Sequence, residues 1–367
     1  MSISRTLNTL TNELNFRLRE KVNQTRIVVF LLPTEDQISG GIISVISIYR
    51  ELKKLESDLG INVFLSTHPQ ALPFRGYTMH NRDVKIYDFK QLIRKFLPNS
   101  SILFHVPESH VIQFCKGLRH PILDKLKEDK NLTYDLNILN QNPDYFPVKE
   151  DLIPLLHRFQ NLTQTTAHYA YNKPFKLGEK TITSSFLGTY PGTDNYENVP
   201  FERKRNTLLV SHDDHPQKEA ILRSLQRAMP ELEIIVVQNM TFEEYTEHQK
   251  YCKFGLTFGE GMDAYFLKCI LYGGVGFAVN NATFFTDDIR AFPTVFDSFE
   301  QLSKNLPSII QQLNSPEPYT AVVKTTRSVI GKYYNHGCYT KRIKHIHTNW
   351  LNKKGCITTE VILGDIA

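Results

Sequence analysis

The sequence lacks several features that would place it in common protein classes. Its five cysteines are odd in number, widely scattered and never spaced as C-x-x-C, which argues against a disulfide framework and a structural zinc site. No run approaches the roughly 20 apolar residues that a membrane-spanning helix needs. The first 24 residues contain no uninterrupted apolar core, so we expect neither a signal peptide nor a membrane anchor. These absences predict a cytoplasmic protein, with peripheral contact at the inner face of the membrane left open.

Excess charge of one sign is also missing. The chain has 43 Lys and Arg against 38 Asp and Glu, a net charge of +5 over 367 residues. This is less than the basic stripe of a dedicated nucleic-acid-binding protein, so we expect no nucleic-acid partner. The composition, 41% hydrophobic with 23 Phe and 17 Tyr, is that of a globular protein. It gives no indication of oligomeric state.

Strand-like and helix-like segments alternate along most of the chain, which predicts an α/β fold with parallel sheets. The length favours two domains. One strand series begins at Arg26–Leu32 and a second at Thr207–Ser211, after the turn-rich linker 188–206. Leucines at helical spacing over the first 22 or so residues predict an amphipathic helix. Further helices are predicted near Asp151–Phe159 and Ala167–Tyr171, and a long helical stretch, interrupted near Gly337, is predicted at Thr325–Leu351. The predicted segments are two Rossmann-like domains and a C-terminal helical segment: 1–190, 191–330 and 331–367.

The segment 253–281 is the most informative part of the sequence, because it predicts strand, acidic loop, helix, glycine cluster and strand in succession. Glu260 and Asp263 lie between the first strand and the helix. Ligands of open parallel sheets bind outside the carboxyl ends of the strands. A buried carboxylate is costly without a partner, so we predict that Glu260 contacts a ligand. Asp263 is predicted to be either a second contact or a helix N-cap.

Two other strand ends carry candidate residues. His105 lies at the end of the predicted strand Ser101–Val106, and Glu108 follows that strand. Either residue could act as a general base or orient an acceptor, because imidazole titrates near neutral pH and the pKa of a carboxylate can be tuned to that range. A histidine at a strand end is more often structural. Gly40 and Gly41 begin the helix after the first strand and would let backbone amides face a ligand. That loop has neither G-x-G-x-x-G nor a Walker motif, which disfavours a NAD-dependent dehydrogenase.

Two stretches, LPTEDQISGGIISVISIYREL and TFGEGMDAYFLKCILYGGVGFAVNN, together with the tandem Rossmann-like pattern, resemble the GT-B glycosyltransferases. The similarity is closest to bacterial enzymes that add sugars to surface polysaccharides, including rhamnosyltransferase-like members. It implies an acceptor-side first domain, a nucleotide-sugar-binding second domain with a cleft between them, and a C-terminal helix that returns toward the first domain.

Retaining GT-B enzymes carry a glutamate, seven residues, and a second glutamate; the first lies near the donor sugar and phosphates, and the second holds the ribose hydroxyls. Glu260 matches the first position, but Lys268 stands at the second. A carboxylate accepts hydrogen bonds from hydroxyls, whereas an ammonium group only donates. The resemblance therefore implies a donor contact for Glu260. Lys268 is predicted either to approach the donor phosphates or to be a solvated helix residue.

GT-B enzymes generally work without a bound metal, and we predict neither metal nor cofactor here. The resemblance implies that positive charge for the diphosphate comes from side chains and helix amino termini; the candidates are Lys218 and amides near Gly274. Lys218 could equally be a solvated surface lysine. The run His212–His215 has ligand chemistry for zinc or manganese, but four adjacent ligands seldom surround one ion, so we predict a donor contact instead, with His212 as the candidate.

The sequence thus predicts a metal-independent glycosyltransferase. It would move a sugar from a nucleotide-diphosphate donor to a hydroxyl of a glycan or lipid-linked oligosaccharide, in the synthesis of a bacterial capsule or lipopolysaccharide. Retention of anomeric configuration is implied only by the resemblance around Glu260. Two alternatives stay open: a degenerate, non-catalytic subunit that binds a nucleotide-sugar or glycan, and a sugar-nucleotide epimerase.

Overall fold

The structure is a computed structural model and describes residues 22–33, 39–67, 84–119, 121–189 and 196–352. The predicted amino-terminal helix lies outside the described residues. Within them the chain divides into two compact units. The first contains the described residues up to His168, residues 172–189 and residues 339–352. The second contains residues 169–171 and 196–338.

The first unit is built on an eight-stranded sheet of order β3-β2-β1-β4-β5-β6-β8-β7, parallel except for the pairing of β7 with β8. Its strands are β1 (Arg26–Leu32), β2 (Asn62–Thr67), β3 (Ile86–Asp88), β4 (Ser101–Pro107), β5 (Thr133–Asn140), β6 (Leu162–Thr166), β7 (Phe175–Leu177) and β8 (Lys180–Phe186). Its helices up to β6 are α1 (Gly40–Lys54), α2 (Glu56–Leu59), α3 (Phe89–Arg94), α4 (Val111–Gly117), α5 (Pro121–Asp129) and α6 (Lys149–Leu152).

The central strands are buried on both faces. In β1 every residue after Arg26 is buried, as expected of a parallel strand that helices cover on two sides. Ile27 and Val29 share a hydrophobic cluster with residues of α3 and α4. On the opposite face the Phe30 ring lies 6.2 Å from the ring of Tyr49 in α1. This two-sided burial explains why β1 is a nearly continuous apolar run.

The second unit has a five-stranded parallel sheet of order β10-β9-β11-β12-β13. Its strands are β9 (Arg205–Val210), β10 (Glu233–Val236), β11 (Cys252–Leu256), β12 (Val275–Val279) and β13 (Val295–Phe296). The helices from β9 onward are α7 (Lys218–Ala228), α8 (Phe242–Tyr251), α9 (Ala264–Leu271), α10 (Asp287–Arg290), α11 (Phe299–Leu313), α12 (Pro316–Tyr333) and α13 (His336–Leu351). Helices α7, α11 and α12 share a hydrophobic cluster with β9, β11 and β12 on one face of the sheet.

Each sheet has a point where the strand order reverses. In the first unit β2 and β3 lie on one side of β1, and β4 lies on the other. In the second unit β10 and β11 lie on opposite sides of β9. Ligands of open α/β sheets bind outside the carboxyl ends of the strands at such switch points. The start of α1, the loop after β4 and the loops after β9 and β11 are therefore the candidate binding elements.

The structure corrects several predicted elements. A helix was expected at Asp151–Phe159, but α6 ends at Leu152 and a 3-10 turn, Ile153–His157, follows it with a proline in its first turn. The helix expected at 167–171 is only the 3-10 turn Tyr169–Tyr171. Strand β7 was not predicted, because three residues show no readable alternation.

The long helical stretch predicted near the C-terminus, with an interruption near Gly337, is two helices, α12 and α13, separated at Tyr334 and Asn335. Residues 339–351 of α13 belong to the first unit. There the Trp350 indole donates a hydrogen bond of 2.8 Å to the carboxylate of Asp135 in β5. Among the described residues, no helix is long and apolar enough to cross a membrane.

Candidate functional site

The two loops at the switch point of the second unit are joined by hydrogen bonds. The Ser211 hydroxyl, just after β9, accepts from the Phe258 amide at 3.0 Å, and the Ser211 amide donates to the carbonyl of Leu256 at 2.9 Å. The loop that carries His212–His215 and the loop that carries Glu260 therefore form one structural element.

Asp263 is the N-cap of α9. Its carboxylate accepts from the backbone amides of Tyr265 at 2.8 Å and Phe266 at 3.2 Å, and from the hydroxyl of Thr257. An N-cap satisfies amides that have no partner within the helix. The structure thus uses this carboxylate to begin the helix and to hold the end of β11 beside it.

Two carboxyl groups, those of Asp213 and Asp263, approach Gly259, and Glu260 is the next residue along the chain. A Cβ atom at this glycine would lie 3.0 Å from Oδ2 of Asp213 and 3.3 Å from Oδ2 of Asp263. Burial raises the pKa of Asp263 to about 7, and the negative charges of Glu260 and Asp213 add to this rise against the hydrogen bond from Thr257. The switch point is therefore locally acidic, with one carboxyl group that titrates near neutrality.

Glu260 differs from the sequence-based expectation in one respect. It was predicted to lie at the end of a buried strand where an unpartnered carboxylate is costly, but it is exposed in the loop between β11 and α9. The premise of burial was wrong because β11 ends at Leu256, four residues earlier. The side chain remains at the carboxyl end of the strand, beside Gly259 and Asp263.

Lys218, predicted to bind a diphosphate, is only 8% exposed. Its ammonium group donates to the carbonyls of Ser211 at 2.7 Å and Asp213 at 2.9 Å. These bonds tie the loop after β9 to the start of α7. Because an ammonium group has three donors, one N–H remains beyond these two bonds. The alternative of a solvated surface lysine is wrong.

His212 and Lys268 lie around an aromatic pair on the same unit. The exposed His212 ring forms a hydrogen bond of 3.1 Å through Nδ1 with the Tyr265 hydroxyl. The Tyr265 ring packs edge-on against Tyr245 of α8, with centroids 5.7 Å apart. The Lys268 ammonium lies 5.2 Å from the Tyr245 ring centroid and is 4% exposed, and burial lowers the pKa of Lys268 to about 8. The prediction of a solvated helix residue is therefore wrong.

Gly274 does not belong to this site. It directly precedes β12, at the amino-terminal edge of the sheet, whereas Glu260 follows β11 at the carboxyl edge. Its amide donates to the carbonyl of Cys269 at 2.7 Å, which closes the end of α9. In a parallel sheet the two edges are separated by the length of a strand, so the amides near Gly274 cannot bind the same diphosphate as Lys218.

The first unit brings three predicted residues together at its own switch point. Gly40 and Gly41 begin α1, after the N-cap Ser39. Glu108, after β4, accepts from the amides of Gln141 at 3.1 Å and Asn142 at 3.3 Å. A Cβ atom at Gly41 would lie 3.0 Å from Oε1 of the same Gln141. The loop after β5 thus links Glu108 to the start of α1.

The Glu108 carboxyl group is 6% exposed, and burial raises its pKa to about 7 even though the backbone amides favour the charged form. Its proton affinity is therefore that of a group able to accept a proton near neutral pH. Each carboxylate oxygen also has a second lone pair beyond the amide that it accepts from.

His105 has a structural role. Its Nε2 lies 3.0 Å from Nε2 of His347 in α13, and its Nδ1 lies 3.0 Å from the side-chain nitrogen Nδ2 of Asn137. His347 Nδ1 lies 2.6 Å from the carbonyl of Ile343, which can only accept. His347 therefore accepts at Nε2, His105 donates to it, and Asn137 donates to His105.

This arrangement requires both imidazoles to be neutral and occupies both nitrogens of His105, which is 1% exposed. Burial, with the neighbouring His347, lowers the pKa of His105 well below its usual value. No ring nitrogen is left to take a proton from an acceptor hydroxyl. The prediction of His105 as a general base is corrected for that reason.

Two site residues were not singled out from the sequence. Asp213 had been considered only within the run His212–His215, and Gln141 had not been considered as a site residue. Each lies just after a strand of its own sheet: Asp213 follows β9, and Gln141 follows β5. Within the described part of the chain, no three His, Cys, Asp or Glu side chains are grouped to hold a metal ion.

No protein-family model matches the chain, and no curated protein matches its sequence. Solved structures do match. HepE (Alr3699) of Anabaena, determined with UDP-glucose, superposes with a TM-score of 0.55 at 10% identity over 88% of this chain and 99% of that one. The chain has the GT-B fold.

Two other enzymes with this fold give the same result. Sucrose-phosphate synthase from Thermosynechococcus elongatus matches with a TM-score of 0.56 at 9% identity, over 89% of this chain and all of that one. The α,α-trehalose 6-phosphate synthase from Burkholderia multivorans matches with a TM-score of 0.52 at 8% identity, over 94% of this chain and all of that one. The two Rossmann-like sheets predicted from the sequence are confirmed; the rhamnosyltransferase-like subtype stays a prediction.

Proposed function

We propose that the protein is a glycosyltransferase that uses a nucleotide-diphosphate-sugar donor. The observation that carries the proposal is the pair of hydrogen-bonded loops at the switch point of the second unit, in a chain with the GT-B fold. These loops present carboxylates, an imidazole and a buried ammonium group where this class of sheet binds ligands. HepE of Anabaena, a solved structure with the same fold, was determined with UDP-glucose bound.

In the proposed reaction an acceptor hydroxyl forms a bond to the anomeric carbon of the donor sugar, the bond from that carbon to the phosphate oxygen breaks, and the nucleoside diphosphate leaves. Glu260 accepts hydrogen bonds from sugar hydroxyls. The remaining N–H of Lys218 and the amides at the start of α7 provide positive charge for the diphosphate, without a metal or cofactor.

The first unit is proposed as the acceptor side. Glu108 is the candidate to receive the proton of the acceptor hydroxyl, because its pKa is raised to about 7 and it lies beside the glycine start of α1. The acceptor is proposed to be a glycan or lipid-linked oligosaccharide of a bacterial surface polysaccharide. Within this proposal the match of Glu260 to retaining enzymes supports attack on the face of the sugar from which the diphosphate leaves, so that the configuration is retained.

A second candidate is a non-catalytic nucleotide-sugar-binding subunit. One observation favours it: Lys268 occupies the position where retaining enzymes carry a carboxylate for the ribose, and its ammonium group is buried against Tyr245. The side chain therefore lacks an oxygen that could accept from ribose hydroxyls. Such a subunit would bind the nucleotide and turn over none of it.

The test begins with a thermal-shift screen of nucleoside diphosphates with each base, followed by release of the diphosphate from the matching sugars with and without glycan acceptors. We expect one base to be preferred and release to depend on Glu260. The Glu260→Gln variant should lose at least about tenfold in turnover. Glu179→Gln, in the exposed turn between β7 and β8, is the control and should match the unaltered protein.

The outcomes separate the candidates. Binding without turnover in the unaltered protein supports the non-catalytic subunit. Conversion of the donor sugar without any acceptor supports an epimerase. If no nucleoside diphosphate binds, the glycosyltransferase proposal is overturned.

A further inference from the structure

We propose that Asp213 is a specificity-determining residue of the donor site, which selects donors with an uncharged sugar against donors whose sugar carries a carboxylate. The inference rests on the proposed function and goes beyond it in naming the class of sugar. It depends on the placement of Asp213 by the tertiary structure, since the residue lies 47 positions from Glu260 along the chain.

The geometry brings Asp213 to the acidic loop after β11. Its Oδ2 would lie 3.0 Å from a Cβ atom at Gly259, the residue directly before Glu260. The same point is 3.3 Å from Oδ2 of Asp263. Two different loops thus direct carboxylate oxygens at one small region of the carboxyl edge of the sheet.

The loop that carries Asp213 is held in this position from several sides. The buried Lys218 ammonium binds the Asp213 carbonyl and the Ser211 carbonyl, and the Ser211 hydroxyl binds the amide of Phe258. Further along the loop, the His215 ring packs on the ring of Phe299, with centroids 3.8 Å apart. Asp213 is therefore anchored by its own backbone beside the Glu260 loop.

The charges of this region determine which substituent it can accept. Asp213, Glu260 and Asp263 are all acidic, while the nearest buried ammonium group, Lys218, directs two of its donors at backbone carbonyls of the loop. Carboxylates accept hydrogen bonds from sugar hydroxyls, so a neutral hexose is bound well. A sugar carboxylate would add a further negative charge beside these acidic groups, and neighbouring like charges repel.

The test compares the glucose and glucuronate forms of the nucleoside diphosphate that binds, since the pair differs only by the carboxylate at the sixth carbon. We expect the unaltered protein to bind the glucose form at least about tenfold more tightly. Asp213→Asn should reduce that ratio by about threefold or more and leave the affinity for the bare nucleoside diphosphate within about twofold. Isothermal titration calorimetry measures all three ligands.

Asp214→Asn is the matched control, because it removes the same charge from the exposed neighbouring residue. It should leave the ratio of the two affinities within about twofold of the unaltered protein. Equal affinities for the glucose and glucuronate forms in the unaltered protein, or equal effects of the two variants, overturn the inference while the proposed function stands. If no nucleoside diphosphate binds, the proposed function fails and the inference fails with it.

Discussion

The two switch points of this protein have the same topology but use their carboxylates differently. In the first unit both oxygens of Glu108 accept backbone amides, and the neighbouring His105 is bonded at both nitrogens. In the second unit Glu260 is exposed, and only Asp263 is used as a helix cap. Position at a strand end therefore indicates where a ligand can bind, whereas the local bonding decides which side chains can reach it.

The difference has a structural cause. The first unit must hold the C-terminal helix α13 on its sheet, and it does so through polar bonds from His347 and Trp350. Buried polar groups are costly unless they are bonded, so the residues of β4 and β5 that face α13 are used in that contact. In the second unit the described bonds of the loop after β11 join it instead to Ser211 and to the start of α9.

The largest expected effect concerns Gly261, in the loop after β11 of the second unit, where the surrounding atoms leave no room for a side chain. Gly261 has φ of +93°, and a Cβ atom there would overlap the ring of Phe285 and lie 3.1 Å from the carbonyl of Val279. Gly261→Ala should lower the free energy of unfolding of the second unit by on the order of 3 kcal/mol, from backbone strain and overpacking together. Urea unfolding followed by far-ultraviolet circular dichroism measures the loss.

Gly40→Ala is the matched change in the first unit, since a Cβ atom at Gly40 meets no atom of the described residues within 4 Å. It should change the free energy of unfolding by no more than about 1 kcal/mol and in the stabilising direction, because alanine favours the helix. Equal losses of stability in the two variants would contradict the expected difference in strain between Gly261 and Gly40.

The next effect concerns the histidine pair of the first unit. Burial lowers the pKa of His347 to about 4 from an ordinary value near 6.5, so the unfolded chain binds more protons between these pH values. The stabilisation by neutral His347 is complete above pH 6.5 and is lost as the pH falls to 4. The loss is on the order of 3 kcal/mol. In His347→Gln the stability of the first unit should therefore depend less on pH over this range.

His345→Gln is the control, because His345 is exposed on the same helix. Unfolding free energies measured from pH 4 to pH 7.5 should show the unaltered pH dependence in this variant. An identical pH profile for His347→Gln and the unaltered protein would contradict the neutral hydrogen-bonded pair.

The smallest effect compares the two glutamates directly. Glu108→Gln replaces one accepting oxygen by a donor that faces a backbone amide, and it should cost about 1 to 2 kcal/mol of stability. Glu260→Gln changes an exposed side chain and should stay within about 0.5 kcal/mol. Both are measured by urea unfolding at one pH. A larger loss for Glu260→Gln would mean that its loop depends on the carboxylate for folding.

Much of the fold was readable because the strands are short apolar runs separated by helices at regular intervals. Strand β12, Val275–Val279, has the predicted bounds, and β1 does as well. The prediction failed for short or irregular elements such as β7 and the turn at Ile153–His157, where local pattern is too brief to read. Pairing order was not readable, because it depends on contacts between residues far apart in sequence.

The sequence predicted which positions belong to the site but not which bonds their side chains form. Glu260, Asp263 and Glu108 were identified from their places at strand ends, which follow from the hydrophobic pattern, and Lys218 was identified from the resemblance to GT-B enzymes. Their bonding was not, because Lys218 finds two carbonyls of its own loop and Gly274 lies at the opposite edge of the sheet. The spacing of residues along the sequence does not show which atoms a side chain will bond to after folding.

The sequence by itself determined the alternation of strands and helices, the glycine and acidic loops, and therefore the class of fold, since hydrophobic periodicity and turn residues act locally. Only the tertiary structure decided that His105 pairs with His347, 242 residues away, and that Asp213 lies beside Gly259. The physical reason is that burial and charge proximity, which set hydrogen-bond partners and pKa values, arise when separate elements pack together.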